Sequence, residues 1–197
     1  MSDETSLSLL ARVQQSPAES GWRELCELYE PLLRRWLRRY GLSGHEADDL
    51  VQDVLVVVTR EVSRFEHNAR PGAFRGWLRT ILVHRLKDYW RKRDRQATPG
   101  GGTQALARLQ ELEDDASGLS RQWDREHDRH VLQRLLARLE PRFNAETFEA
   151  FRRVVLGREE PQHVAAELGL SPNAVYIAKS RVLRELRREV EGLVDDF

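Results

Sequence analysis

Cysteine is nearly missing. Cys26 is the only one in 197 residues, so no intrachain disulfide can form and a cysteine-rich metal site is excluded. A reducing compartment follows. No apolar run approaches the roughly 20 residues needed to cross a bilayer, and the start, 1–5, is polar and acidic. The expectation is an unexported protein of the cytoplasm without membrane insertion. Strand-like alternation and internal repeats are absent. No phosphate-cradling glycine loop precedes a lysine, no nucleophile motif occurs, and the glycines at 100–102 lack a flanking strand and helix. His127 and His130 lie three apart with acids nearby, but a metal site would need further ligands in register. No enzymatic constellation, cofactor or metal is therefore expected.

Net charge is missing too, since 32 Lys and Arg balance 32 Asp and Glu. That balance would argue against a polyanionic partner, yet it is a cancellation of opposite blocks. Segment 64–95 carries ten basic residues against three acidic ones, about +7, and segment 111–128 carries seven acids against two arginines, about −5.

What is present favours helices. Leu, Arg, Glu and Ala dominate, and 40% hydrophobic against 32% charged residues suits amphipathic helices around small cores. Apolar residues recur at helical spacing over 22–40, 47–65 and 74–90, with Gly41, Gly44, Pro71 and Gly72 at the breaks. A shorter helix is expected at 7–13. The run 98–103 has maximal backbone freedom and no side chain that could build a core, and reads as the start of a linker. Leu106, Leu109 and Leu112 allow a helix within that linker, limited by Gly118. The expected architecture is all-α, with two small helical domains joined by a flexible linker: 1–95, a glycine-rich and acidic linker 96–126, and 127–197.

The strongest local signal runs from Gln162 to Val175. A helix-turn-helix needs a small residue at the helix crossing, a glycine at the turn and apolar residues on both sides, which Ala165, Gly169, Val164, Leu168, Leu170 and Val175 supply. Ser171 can cap the second helix, and Pro172 loses no hydrogen bond at its first position. Val175, Ala178, Val182 and Leu186 face inward. Ser171, Asn173, Tyr176, Ile177, Ser180, Arg181 and Arg184 are left for base edges and phosphates. A plain helical hairpin with solvated arginines is the bland alternative.

Two further helices carry distinctive outer faces. Over 74–93 the core face is Phe74, Trp77, Leu78, Ile81, Leu82 and Tyr89, and the expected outward row is Arg79, Thr80, Val83, His84, Lys87, Trp90 and Arg91. A Trp among cations suits unpaired bases, because aromatic stacking holds bases while cations hold the backbone. Over 47–65 the core face is Leu50, Val51, Val54, Val58, Val62 and Phe65. Asp49, Gln52, Asp53, Val56 and Arg60 form the outer row, an apolar centre in a polar rim that fits a basic protein partner.

Three stretches in this order resemble the extracytoplasmic-function sigma factors, the short two-domain members of the sigma-seventy family. They are Ala47-Asp48-Asp49-Leu50-Val51-Gln52-Asp53-Val54, then Phe74-Arg75-Gly76-Trp77-Leu78 running to Asp88-Tyr89-Trp90-Arg91-Lys92-Arg93, then the helix-turn-helix. The resemblance implies an alternative sigma factor that gives RNA polymerase core its promoter specificity. Asp49, Gln52, Asp53, Val56 and Arg60 would dock on the clamp helices of the largest subunit. The loop 66–73, with Arg75, Arg79, Thr80, Val83, His84, Lys87, Trp90 and Arg91, would hold the melted minus-10 strand, and the helix from Pro172 would enter the major groove at minus-35. Promoter DNA and polymerase core are the implied partners, with an anti-sigma regulator as a further one. His84, Tyr176, Ala178 and the stretch 139–144 depart from the usual pattern, so promoter sequence does not transfer. The long acidic linker is expected to mask the basic helix until polymerase binds. A duplex-binding regulator independent of polymerase is the competing reading, but it leaves the basic aromatic helix unexplained.

Overall fold

The computed structural model describes residues 8–15, 19–66, 72–96 and 102–194, all without a β-strand among them. Parts of the expected loop 66–73 and of the linker start 98–103 lie outside the described residues. The described chain forms nine α-helices: α1 (Leu9–Gln15), α2 (Glu19–Arg39), α3 (Gly44–Glu61), α4 (Ala73–Gln96), α5 (Gly102–Glu113), α6 (Gly118–Leu139), α7 (Ala145–Phe151), α8 (Pro161–Leu168) and α9 (Pro172–Val190). Single turns follow α3 and α6, and a wider π turn, Arg152–Leu156, follows α7.

The largest core gathers around α2, whose Leu25, Tyr29, Leu32, Leu33, Trp36 and Leu37 are fully buried. Against it lie α1, Val51, Val54 and Val58 of α3, and Phe74, Leu78 and Leu82 of α4. The same core continues into Leu109 and Leu112 of α5, Trp123, Val131 and Leu135 of α6, and Leu186 and Val190 of α9. A buried carboxylate ties the far end together: Glu189 of α9 accepts from Arg142 at 3.0 Å and lies 3.6 Å from Arg12 of α1. Two small satellite cores, one around Ala165, Val175 and Ala178 and one around Phe148, Phe151 and Val182, hold α7, α8 and α9 to each other.

The expected linker is where structure and sequence reading differ. From 102 onward the described part of 96–126 is helical except for the turn at 114–117, and α6 runs unbroken across the expected boundary at 126/127. Gly118, read as a helix limit, instead opens α6, because Ser117 caps that helix by accepting from the Ser120 N–H at 2.9 Å. The hydroxyl of Ser120 reaches back to the Leu112 carbonyl at 2.7 Å and ties the start of α6 to the end of α5. Trp123, His127, His130 and Val131 form one buried stripe at helical spacing. Dividing that stripe between linker and domain hid it from the sequence reading.

Candidate nucleic-acid interface

On α3 the expected outer row is solvent-facing: Asp49, Gln52, Asp53 and Arg60 are exposed, and Val56 is 43% exposed. Leu50, Val51, Val54, Leu55 and Val58 occupy the opposite face and anchor the helix. Beside the carboxylates of Asp49 and Asp53, α4 brings up Lys92 and Arg93, and the two helices enclose a cleft of about 510 Å³. Tyr89, expected in the core, is half-buried at this cleft and donates its hydroxyl to Glu46 at 2.8 Å.

The outward row of α4 needs three corrections. Thr80, His84 and Arg91 are exposed, but Val83 and Trp90 are buried, and the Arg79 side chain is only 7% exposed. The reason is packing on two flanks: α3 covers one side of α4, with Tyr29 of α2 against Phe74 at 5.5 Å, and α5 and α6 cover another. A helix buried on two sides has no single polar face for a periodicity argument to find. The indole N–H of Trp90 has no hydrogen-bond partner among the described residues. Trp77, expected as plain core, is instead half-buried against Phe65 and Phe74, with ring centroids 5.0 and 5.4 Å away. It lines a cavity of about 740 Å³ together with Arg64, Phe65, Arg79, Thr80 and Asp124.

The cations of α4 are occupied by acids from the segment that follows. Arg75 donates to Asp128 at 3.0 Å and lies 3.5 Å from Asp124. Arg79 pairs with Asp115 and lies 3.5 Å from Asp124, and Lys87 pairs with Glu113 at 2.6 Å. Burial pushes the Asp124 carboxyl above its ordinary range, outweighing the opposite pull of Arg75 and Arg79. Trp123, fully buried, donates its indole N–H to the Arg75 carbonyl at 3.0 Å and pins α6 to the first turn of α4. Gly72 makes that turn possible. Its φ of +75° favours glycine, and a Cβ there would stand 2.7 Å from the Arg75 guanidinium. The acidic block and the basic helix as its partner were visible in the sequence, but which carboxylate meets which cation was not.

Behind this face two histidines are structural. His127 is fully buried, and its ring lies 3.1 Å from the Tyr29 hydroxyl and 2.9 Å from Asp128. Burial holds its pKa below the ordinary value, so the neutral ring donates Nδ1–H to Asp128 and accepts the Tyr29 hydroxyl. His130 lies 2.6 Å from the Leu28 carbonyl and 3.3 Å from Arg35, and burial lowers its pKa too. The carboxylates of Glu159 and Glu167 meet His163 at the surface, but Arg153 already engages both carboxylates.

The third surface is α9. Gly169, at φ +65°, ends α8 in the left-handed conformation, and the Leu170 N–H returns to the Ala165 carbonyl at 2.9 Å. Ser171 then caps α9 by accepting from the Ala174 N–H at 3.1 Å, with Pro172 in the first turn. Val175, Ala178, Val182 and Leu186 are buried, and Ser171, Asn173, Tyr176, Ile177, Ser180, Arg181 and Arg184 are exposed. Tyr176 and Ile177, 53% and 47% exposed, form an apolar pair beside Arg181 and Arg184.

Comparison with known proteins follows the same stretches. The Sigma-70 region 2 family matches residues 25–96, from the second turn of α2 to the end of α4. Over 195 residues, 96% of this chain and 98% of the relative, the sequence is 29% identical to the ECF RNA polymerase sigma factor ShbA of Streptomyces griseus subsp. griseus. Over 95 residues, 48% of this chain and 35% of the relative, it is 30% identical to the ECF RNA polymerase sigma factor SigE of Mycolicibacterium smegmatis. No solved structure matches the chain.

Proposed function

The chain belongs to the sigma-70 family, in its extracytoplasmic-function group, and on that premise we propose a division of labour among its three surfaces. As an alternative sigma factor it directs RNA polymerase core to chosen promoters and aids initiation, and so works in the cytoplasm. Its role is that of an initiation factor rather than a catalyst. The exposed row of α3, Asp49, Gln52, Asp53, Val56 and Arg60, docks on the clamp helices of the largest subunit. Carboxylates around an exposed valine suit a basic, partly apolar partner.

The α4 surface captures the melted minus-10 strand. Arg75, Arg79, Lys87 and Arg91 hold phosphates, Thr80 and His84 supply polar contacts, and the cavity beside Trp77 and Phe65 has room for an unstacked base. Trp77 thus takes the stacking role first expected of Trp90. The exposed face of α9 enters the major groove at minus-35: Asn173 and Ser180 offer hydrogen bonds, Tyr176 and Ile177 suit a thymine methyl, and Arg181 and Arg184 suit phosphates. Each reader is weak alone, and mounting both on polymerase raises their effective concentration. An anti-sigma regulator is the further partner that this reading includes.

The observation that carries the reading is the extent of the family match. Residues 25–96 contain both the acidic-apolar row of α3 and the cationic row of α4, side by side. Run-off transcription with core polymerase tests it. The chain should redirect initiation to defined start sites, and Asp53→Arg should weaken core binding by at least about tenfold, the effect of reversing one interfacial charge. Sequence-selective duplex binding without any association with core would favour the polymerase-independent regulator instead.

A further inference from the structure

Gln14 of α1 sits where the chain leaves α3 for the cavity beside Trp77. A single turn, Val62–Arg64, ends that helical segment, and at Phe65 the backbone becomes extended. The last carbonyls of a helical segment have no partner within it. Here the Val62 carbonyl accepts the Phe65 N–H at 3.1 Å, and the Gln14 side-chain amide donates to the Val62 carbonyl at 3.2 Å and to the Phe65 carbonyl at 2.8 Å. A primary amide carries its two N–H donors in one plane, so this one side chain holds both carbonyls and fixes the direction in which the chain departs. The opposite flip would set the amide oxygen against two carbonyl oxygens.

Gln14 is itself held from behind. Leu9, Leu10 and Val13 of α1 are buried in the main core, and a Cβ on Gly21 of α2 would stand 3.3 Å from the Val13 Cγ2. Arg12 pairs with Glu24 of α2 at 2.5 Å and lies 3.6 Å from Glu189 of α9. In front of Gln14 the order passes through aromatic rings. Phe65 stands edge-on to the fully buried Phe74 at 5.5 Å, and its ring lies 5.0 Å from that of Trp77. Phe65 and Trp77 line the cavity of about 740 Å³, and Gln14 grips the Phe65 backbone behind that wall.

We propose that Gln14 is a positioning residue for capture of the unstacked base: its amide fixes the Phe65 backbone, and Phe65 with Phe74 sets the Trp77 ring in the orientation that stacks. The inference rests on the reading of the cavity beside Trp77 as the base site. A cap that served stability alone could hold any two terminal carbonyls, but one of these belongs to the residue whose ring forms the cavity wall. A ring free to tilt would have to be ordered at the moment of binding, and that cost comes out of the affinity for the base. Gln14 removes the cost in advance without touching DNA. Docking on core and reading of minus-35 use other surfaces and do not depend on it.

The test uses polymerase core carrying the full-length chain, on a promoter located by run-off transcription, with a fluorescent adenine analogue placed in turn along the melted minus-10 segment. Gln14→Met keeps the length of the side chain and removes both donors. It should shift the capture equilibrium about tenfold toward the stacked base, the order expected for losing two hydrogen bonds, and leave core affinity and duplex binding unchanged. Gln14→Glu has the same shape but only accepts when ionised, and should be at least as damaging. Gln14→Lys can donate to terminal helix carbonyls and should recover most of the loss. A loss that Gln14→Lys does not repair, or one that falls equally on core affinity and duplex binding, marks a merely structural role and overturns the proposal. Trp77→Ala separates the proposal from the reading beneath it. If Trp77→Ala captures the analogue as well as the parent, the cavity is not the base site. If Trp77→Ala loses capture while Gln14→Met does not, the site stands and the positioning role is wrong. A measurement on the unsubstituted chain guards against misfolding of the variants: the side-chain amide protons of Gln14 should exchange with solvent at least about tenfold more slowly than those of the exposed Gln15. Equal rates would remove the clamp on which the proposal stands.

Discussion

On α9, side chains about three turns apart are proposed to recognise different things. Arg184, exposed in the C-terminal half of α9, is the residue proposed for phosphate, whereas Asn173, exposed near the capped start, is the one proposed for a base edge. Arg184→Ala in the polymerase-bound protein should weaken minus-35 binding about equally for all sequences and reduce its salt slope by about one. Asn173→Ala should relax preference at a single position by about 1–3 kcal/mol and leave the salt slope unchanged. Binding isotherms over a salt series on a matched and a mismatched site separate the two. The cap at the start of α9 is equally local: Ser171 accepts from the Ala174 N–H, and Pro172, having no N–H, leaves one fewer donor of the first turn to satisfy.

Among the elements, α6 has the most consequences for the rest. It touches α2, α4, α5 and α9, and Trp123 sits where it meets the first turn of α4. Its ring packs edge-on against Trp36 of α2 at 5.1 Å, so truncation would open a cavity between three helices. Trp123→Ala should cost about 3–5 kcal/mol in denaturant unfolding, the range for emptying a buried aromatic site. Amide hydrogen exchange should quicken first in α5 and the start of α6, whose cover of α4 depends on that ring, and α3 should be least affected. Uniform acceleration through all helices would mean that α5 and α6 are not a separable cover.

At the scale of the whole molecule, two buried neutral histidines make folding sensitive to acid. Burial holds the pKa of both His127 and His130 below the unfolded value of 6.5. Between the folded and unfolded values the unfolded chain binds more protons, so stability is full above pH 6.5 and declines below it. The slope approaches about 1.4 kcal/mol per pH unit for each histidine that stays neutral when folded. Denaturant titrations from pH 7.5 to 5 should show this decline, and His127→Asn should have a shallower one. A stability that is flat across pH 6.5 to 5 would contradict the neutral, buried state of these rings.

Helix content, the exposed row of α3 and the inward and outward faces of α9 could be read from residue order alone, because each depends on one helix with one buried side. For α9 a capping serine, a proline and a left-handed glycine also mark the start locally, so periodicity and termini agree. The same logic failed on α4. Val83 and Trp90 looked outward because the second flank is covered by α5 and α6, a contact that the periodicity of α4 alone cannot show. Composition likewise made the two charge blocks plain, but opposite charges along a chain do not say which carboxylate meets which guanidinium. The pairing of Asp115, Asp124 and Asp128 with Arg75 and Arg79 was decided by tertiary packing, through the buried stripe of α6 that holds those acids over α4.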